Sequence, residues 1–437
     1  MRRGGEFRYR RWSVPALYAV VAITLSVVLP RAEHSFFPDI VSPVSVSVAA
    51  TGYAAIASGM IALTGIVFSL TFVMVQFSAS AYSPRLALWL AQDPLLTHAL
   101  GIFIATFVYA IAALAWLGRG NMTTAPLISA GLVIALLLAS MGMFIALIER
   151  IGTLQVDRML TFIGNQGRKA ISVLYPPLES PQRPPARERQ QQSRTTQTLV
   201  YHGEPRTVQA IDVTNLLKLA VAHDCLIEVD ASVGDVVVEM RPILRVFGLA
   251  QKIDGVAQKD GVAQKIDEQA LRDALVLGKE RTFTQDPKYA IRLLVDVAIR
   301  ALSPAVNDPT TATQALDQIS DLLVRLSSRR IEIGTFHDTR DCLRLVVPFP
   351  SWEDFLLLAL DEIHYYGAAS VQVMRRMNAL LSDLLPAVPE ERRPALIYWR
   401  QRIHNTVVRS FEVAEEREDA SREDRQGLGT TRRQQIQ

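Results

Sequence analysis

Between residues 58 and 80, Ser58, Ala62, Gly65, Ser69, Gln76 and Ser80 recur at steps of three, four and seven. On an α-helix that spacing places them on one face. The run 56–80 carries no formal charge, and its other positions are mostly Ile, Leu, Val, Phe and Met. Hydroxyls and an amide on such a helix can serve two ends. Small residues let membrane helices approach, and serine can bond across the contact. Alternatively, several copies can surround a water-filled path lined by Ser58, Gly65, Ser69, Gln76 and Ser80. The absence of charge within the span suits passive permeation better than a proton relay.

A second constellation lies far downstream, in ALSPAVNDPTTA. Asp308 as N-cap and Pro309 at the first helical position make a strong helix start, with Thr310 and Thr311 behind them. Unused N–H groups at a helix start can hold an anion. Arg281, Thr282, Asn307, Thr310 and Thr311 are therefore a candidate anion or ligand corner, provided the intervening helix folds back to bring them together. The plainer account is a rigid turn with internal hydrogen bonds, in which Asp308 itself occupies those N–H groups.

Other chemistry is missing from the motif inventory. No Gly-rich phosphate loop, HExxH, CxxC or GxSxG occurs. The seven histidines are scattered, and the one metal-like spacing, Asp361 with His364, has no second such unit beside it. We expect no enzyme, no metal and no cofactor. Cys225 and Cys342 are expected to be reduced thiols. A net charge of +3 on 437 residues, with arginine clusters that lack interleaved aromatics, gives no basis for nucleic-acid binding.

The elements that position these residues divide sharply in composition. The chain is 49% hydrophobic, and the hydrophobic residues are densest before Arg150. A membrane-spanning helix needs ~20 mainly apolar residues. Stretches at about 12–29, 48–80, 95–117 and 125–147 qualify, giving a transmembrane domain over 1–150. The first is read as a span and not a cleaved leader, because Pro30, Arg31, Ala32 and Glu33 follow it where a small-residue cleavage site would stand. Arg2, Arg3, Arg8, Arg10 and Arg11 precede the first span, and Arg150, Arg158, Arg168 and Lys169 follow the fourth. By the positive-inside rule both termini are cytosolic. AYSPRLALWLAQDP, after the second span, is expected as a short helix at the inner interface, with Asp93 capping the third span.

Residues 151–196 read as a helical extension and a Pro- and Arg-rich linker. Residues 197–420 read as a cytosolic α+β domain, mostly helical. Strands are expected near 207–211, in CLIEVD, VVVEM and ILRVF, and as a hairpin around HDTRD; helices at 268–279, 288–302, 310–326, 352–385 and 390–418. The repeat AQKIDGVAQKDGVAQKID at 250–267 is expected as a surface loop or extended helix, and 421–437 as a disordered tail.

The charge-free second span, ERTFTQDPKYAIRLLVDVAIRALSPAVNDPTTA and SWEDFLLLALDEIHYYG resemble the bacterial predicted membrane proteins grouped as domain of unknown function 2254. The resemblance runs from the first span to about Phe411. It implies a bacterial inner-membrane protein of one architecture and supplies no activity. The residues themselves favour an oligomeric, channel-like protein in the lipid bilayer that passes a small ion, with a cytosolic domain for assembly or gating. The alternative is a membrane-anchored sensor or scaffold binding a small anion or a protein partner.

Overall fold

In a computed structural model the described residues are 6–36, 44–81, 94–118, 124–152, 156–178, 192–249, 252–253, 256–257 and 265–426. They form two compact units, Met1–Gln155 and Val156–Gln437. The interfacial helix expected at 82–93, with the Asp93 cap, lies outside the described residues, as does the tail beyond 426.

The first unit holds four helices: α1 (Glu6–Phe36), α2 (Val46–Ala81), α3 (Pro94–Leu117) and α4 (Leu127–Gly152). Each contains a stretch long and apolar enough to cross a membrane. α3 packs against all three others. Its sequence explains this: Ala99, Gly101, Ala105, Ala110 and Ala113 are small and buried, so neighbouring backbones come close. At Gly101 an added Cβ would lie 2.7 Å from the Tyr18 ring of α1. α1 starts earlier and ends later than its apolar stretch predicts, and Pro15 and Pro30 lie within it.

The second unit begins at α5 (Val156–Leu174), which composition assigns to an extension of the fourth span. It is instead an amphipathic helix whose Leu160, Ile163, Gly164, Gly167 and Ile171 are buried against α8 (Pro287–Ala301) and α9 (Pro309–Ser327). Gly167 permits the contact: a Cβ there would sit 2.8 Å from Leu322 and 3.0 Å from Ala290. α8 also packs on α10 (Trp352–Tyr366), and α9 on α11 (Val371–Leu384). Aliphatic residues at helical spacing bury Leu294, Ala298, Leu316, Leu323, Phe355 and Met377 in this layer completely.

The strands form a second layer. β1 (Gln192–Val200), β5 (Pro242–Leu249), β3 (Cys225–Val229), β10 (Leu343–Val346) and β9 (Thr335–His337) make one sheet in that order, parallel only between β3 and β10. β4 (Val236–Val237), β2 (Arg206–Ile211) and β8 (Leu275–Gly278) make another. α6 (Val213–Ala222) covers β3 and β10, and α7 (Glu268–Asp273) precedes β8. The apolar core includes Leu199, Ile211, Leu216, Cys225, Ile227, Leu244 and Leu345.

Several expectations are corrected. β1 takes in residues 192–196, read from composition as linker, because β5 pairs with them. The helix expected over 268–279 stops at Asp273, since Leu275–Gly278 pairs with β2. The expected helix 352–385 is broken at Gly367, where an added Cβ would meet Val373 at 2.6 Å and Ser370 caps α11. Likewise 390–418 divides into a 3-10 turn, α12 (Arg393–Ser410) and α13 (Ala414–Ser421). Within the repeat, β6 (Lys252–Ile253) pairs with β7 (Val256–Ala257), in place of a helix. Residues 421–426, assigned to a disordered tail, are ordered: Arg425 pairs with Asp383 at 2.8 Å and Ser382 donates to Glu423 at 2.5 Å.

Candidate functional site

The site is built around the start of α8. Asp286 caps the helix, accepting from the Tyr289 N–H at 3.1 Å, and Pro287 fills the first helical position. Its carboxylate also accepts from Arg281 Nε at 2.9 Å and Nη2 at 2.7 Å. Asp286 is 2% exposed. The loop after β3 passes directly over this pair. Gly234 has φ +92°, and a Cβ there would lie 2.2 Å from Arg281 Nη2 and 2.7 Å from Asp286 Oδ2, so the position admits only glycine without displacement. Gln285 ties the same helix start to the end of β2: its Oε1 accepts from Ile211 N–H at 3.0 Å and its Nε2 donates to Ile211 O at 3.4 Å.

Next to the pair is a cavity of about 60 Å³. Its walls are mostly apolar, including Leu174, Ile211, Val213, Val347 and Phe349, with Gln285, Asp286, Lys288 and Ser232 as the polar part. Tyr175 also lines it. This ring is held edge-on to Phe349 and Phe355, with centroids 6.4 and 6.2 Å away. Tyr175 is 1% exposed, and its hydroxyl has no hydrogen-bond partner among the described residues. Buried polar groups are ordinarily bonded, and Trp352 Nε1 and His337 Nε2 are unbonded in the same way among the described residues.

Electrostatics set the protonation states. Burial pushes the Asp286 carboxyl up from its ordinary range, and Arg281 and Lys288 oppose that rise. Burial raises Tyr175, reinforced by the negative charges of Asp286 and Glu332, so the phenol keeps its proton and remains a donor. A buried carboxylate with a named cationic partner beside a cavity makes this a candidate site, a pattern that structural ion pairs share.

The anion corner anticipated from sequence does not assemble. Asp308 accepts from Thr311 N–H at 3.1 Å and from its hydroxyl at 2.5 Å, occupying the helix start from within. Asn307, Thr310 and Thr311 stand beside the end of α8, where Asp308 N–H donates to Ala301 O. Arg281 and Thr282 stand at its beginning. Fifteen helical residues separate the two ends, about 22 Å at 1.5 Å per residue. Folding α9 back along α8 is what keeps the two halves of the proposed corner apart. The Asp361 and His364 pair is likewise engaged elsewhere, Asp361 with Arg402 at 2.6 Å and His364 with Thr406 at 2.8 Å.

In the first unit, Ser58, Gly65, Ser69 and Gln76 are all exposed, on the side of α2 opposite buried Tyr53, Ala57, Met60 and Val67. Nothing approaches within 4 Å of a Cβ built at Gly65. The side chain of Ser80 lies outside the described residues. Thr64 and Thr71, the offset row, donate back to Met60 O and Val67 O at 2.7 Å. Counted from Val46, Gln76 is thirty residues along α2 (76 − 46), about 45 Å. That exceeds a ~30 Å hydrocarbon core, and the stretch of α2 apolar enough to span, Val46–Val73, ends before Gln76.

Two further groups escape a reading by spacing. Tyr175 and Asp286 are 111 positions apart (286 − 175); Asp286 is legible as a helix start, but nothing in the sequence places Tyr175 in the same cavity wall. Glu33, at the end of α1, is 7% exposed and accepts from Ile128 and Ser129 N–H at 3.1 and 3.4 Å, capping α4 from another helix. Tyr109 bonds Ser129 at 2.9 Å beside it. A lone acid closing an apolar span is the signal that could have found this one.

The chain is similar to an uncharacterized protein of Mycobacterium tuberculosis and one of Mycobacterium bovis, each 28% identical over 337 residues. The match spans 75% of this chain and 62% of the length of these curated relatives. No solved structure matches it. A family model described as a predicted membrane protein (DUF2254) matches residues 8–383. With four apolar helices followed by a mostly helical α+β unit, and that match over most of its length, the chain belongs to the DUF2254 family of predicted membrane proteins.

Proposed function

We propose that this is a membrane-anchored binding protein, with the second unit as a cytosolic sensor domain. The observation that carries this reading is the mostly apolar cavity lined by Tyr175, Gln285, Asp286 and Lys288, beside the buried Arg281–Asp286 pair. Its lining comes from α5, the strand layer and the start of α8, so an occupant would touch both layers of the unit at once. Small sites with apolar walls and a few convergent polar groups are the usual form of a ligand pocket. The arginines that bracket the spans support a cytosolic placement at an inner membrane. The test is a melting-temperature screen of the purified full chain against small-molecule fractions of a cell extract. A fraction that stabilises wild type but not Tyr175→Phe supports the reading, and a screen in which every shift is shared by the variant overturns it.

A second reading is favoured by the unpacked face of α2. Ser58, Gly65 and Ser69 allow close approach of another copy, and a ring of such helices would leave an uncharged path for a small ion. It requires a homo-oligomer. A multi-subunit mass in mild detergent, with ion flux in liposomes that Ser58→Leu abolishes, supports it; a monomer without flux rules it out.

A further inference from the structure

We infer that the contact between His364 and α12 is an acid-operated latch: proton uptake by the ring loosens the seat of α12 on α10, while the helices beneath keep their packing. The latch is independent of the cavity beside Tyr175.

His364 lies in the last turn of α10 and is 6% exposed. Its Nε2 meets the Thr406 hydroxyl of α12 at 2.8 Å. Its ring stands edge-on to Trp399 of the same helix, with centroids 6.1 Å apart. Trp399, Ile403, Thr406 and Val407 form the buried face of α12, at helical spacing. The main packing of α12 is on α10, α11 and α13. The chain just before it is tied down separately, since Arg392 donates to Ser327 O at 3.2 Å and Arg329 O at 3.0 Å. Release of the His364 contact therefore frees the middle of α12 first.

The direction of the bond follows from a third residue. Arg409 Nη2 donates to Thr406 Oγ1 at 3.4 Å, and a guanidinium can only donate. Among the described residues His364 Nε2 is the acceptor within reach of the Thr406 hydroxyl proton, so the neutral ring accepts there. A proton on Nε2 turns the ring into a donor. The hydroxyl can then only accept, and its own hydrogen is left buried without a partner, at the cost of an unmade hydrogen bond.

Charge opposes the proton too. Arg402 and Arg409 of α12 act against it, and Asp361 of α10 acts for it. Asp361 is already shared, pairing with Arg402 at 2.6 Å, and Arg402 lies over the Trp399 ring at 4.6 Å. Arg400 and His404 of α12 are exposed. Charged groups on the other neighbouring helices are engaged with one another. Arg292 of α8 holds Glu362 and Asp296; Asp317 of α9 holds Arg376 of α11; Arg375 of α11 holds Asp419 of α13. A buried imidazolium would thus face two guanidinium groups and one committed carboxylate. Burial, then these cations, lower the pKa of His364 from its ordinary value of ~6.5. The hold on α12 is therefore complete above ~6.5 and is lost as pH falls through the lower folded value.

The test is hydrogen exchange of the purified full chain in detergent, read by mass spectrometry from about pH 7.5 to about pH 5, either side of the ordinary histidine value. Labelling times are corrected for the intrinsic amide rate. One proton taken up on opening changes protection by at most about tenfold per pH unit. The expected result is a loss of protection on the order of tenfold in peptides from α12, with peptides from α8 and α9 unchanged. His364→Gln should abolish the loss, because its amide does not titrate and its oxygen can accept from Thr406. Protection over α12 that is flat with pH, a loss equal in His364→Gln, or a loss shared by α8 and α9 overturns the latch. Should His364→Gln not fold, the wild-type slope over α12 decides: a fall of up to about tenfold per pH unit supports the latch, and a steeper one overturns it.

Discussion

At the scale of single residues, Asp286 does two jobs that pull against each other. As an N-cap it is best ionised, yet its burial favours the neutral acid. Arg281 resolves the conflict, and Gly234 leaves the space in which Arg281 can do so. Gly234→Ala should therefore destabilise the folded chain by roughly 2–4 kcal/mol, combining overpacking with disturbance of a buried ion pair; urea unfolding would measure it, and an unchanged midpoint would refute the close contact. Tyr175→Phe acts the other way. It removes a buried hydroxyl with no protein acceptor, so the unliganded variant should melt no lower than wild type. His364 supplies a pH dependence. Burial and then the positive charge of Arg402 lower its pKa from the ordinary value, against Asp361. A group with a depressed folded pKa contributes stability that is present above its unfolded pKa, ~6.5, and lost as pH falls through the lower folded value. Stability should therefore decline on acidification below neutrality, and His364→Gln should flatten that part of the profile. An identical profile in the variant would assign the decline to other groups.

Among the elements, helix starts and apolar spans were the most legible in sequence. Asp-Pro at 286–287 and 308–309 both open helices, each with its aspartate accepting from a backbone N–H two positions beyond the proline. What could not be read was which element a segment packs on. α5 carries an amphipathic pattern, and nothing local says that its partners are α8 and α9, more than a hundred residues away. Leu275–Gly278 is short and apolar, and only pairing with β2 makes it a strand. Gly167 is the place to test α5 packing. Gly167→Val should destabilise the second unit by about 2 kcal/mol, since overpacking a filled contact outweighs any gain in helix propensity. Calorimetry resolving the two units would detect it, and a neutral result would mean that α5 is not seated between α8 and α9. The cysteines offer an independent check on the strand layer. Burial pushes the Cys225 thiol up to about 11, whereas Cys342 is half-buried. A native chain should thus take up one equivalent of maleimide rapidly, at Cys342, and a second only on unfolding.

For the whole molecule, the division into an apolar helical unit and a polar α+β unit is visible in composition alone, because the two parts answer to different solvents. The candidate site was only half visible. Arg281 was named as a residue that folding could bring to the helix start at 308–311, but its partner proved to be Asp286 at the near end of α8 and not the threonines at the far end. The cavity has no sequence signature, since its walls come from segments between 174 and 350 that meet only in the fold. The claim on which the functional account depends is that the cavity beside Tyr175 holds an exchangeable small ligand. The most direct measurement is carbon-13 NMR of the full chain labelled at the tyrosine ζ-carbon, with the Tyr175 signal identified by its loss in Tyr175→Phe. Titrated with an extract fraction that raises the melting temperature, that signal should move saturably while the other tyrosine signals hold still. A Tyr175 signal that stays fixed, or drifts linearly together with all the others, would contradict the account.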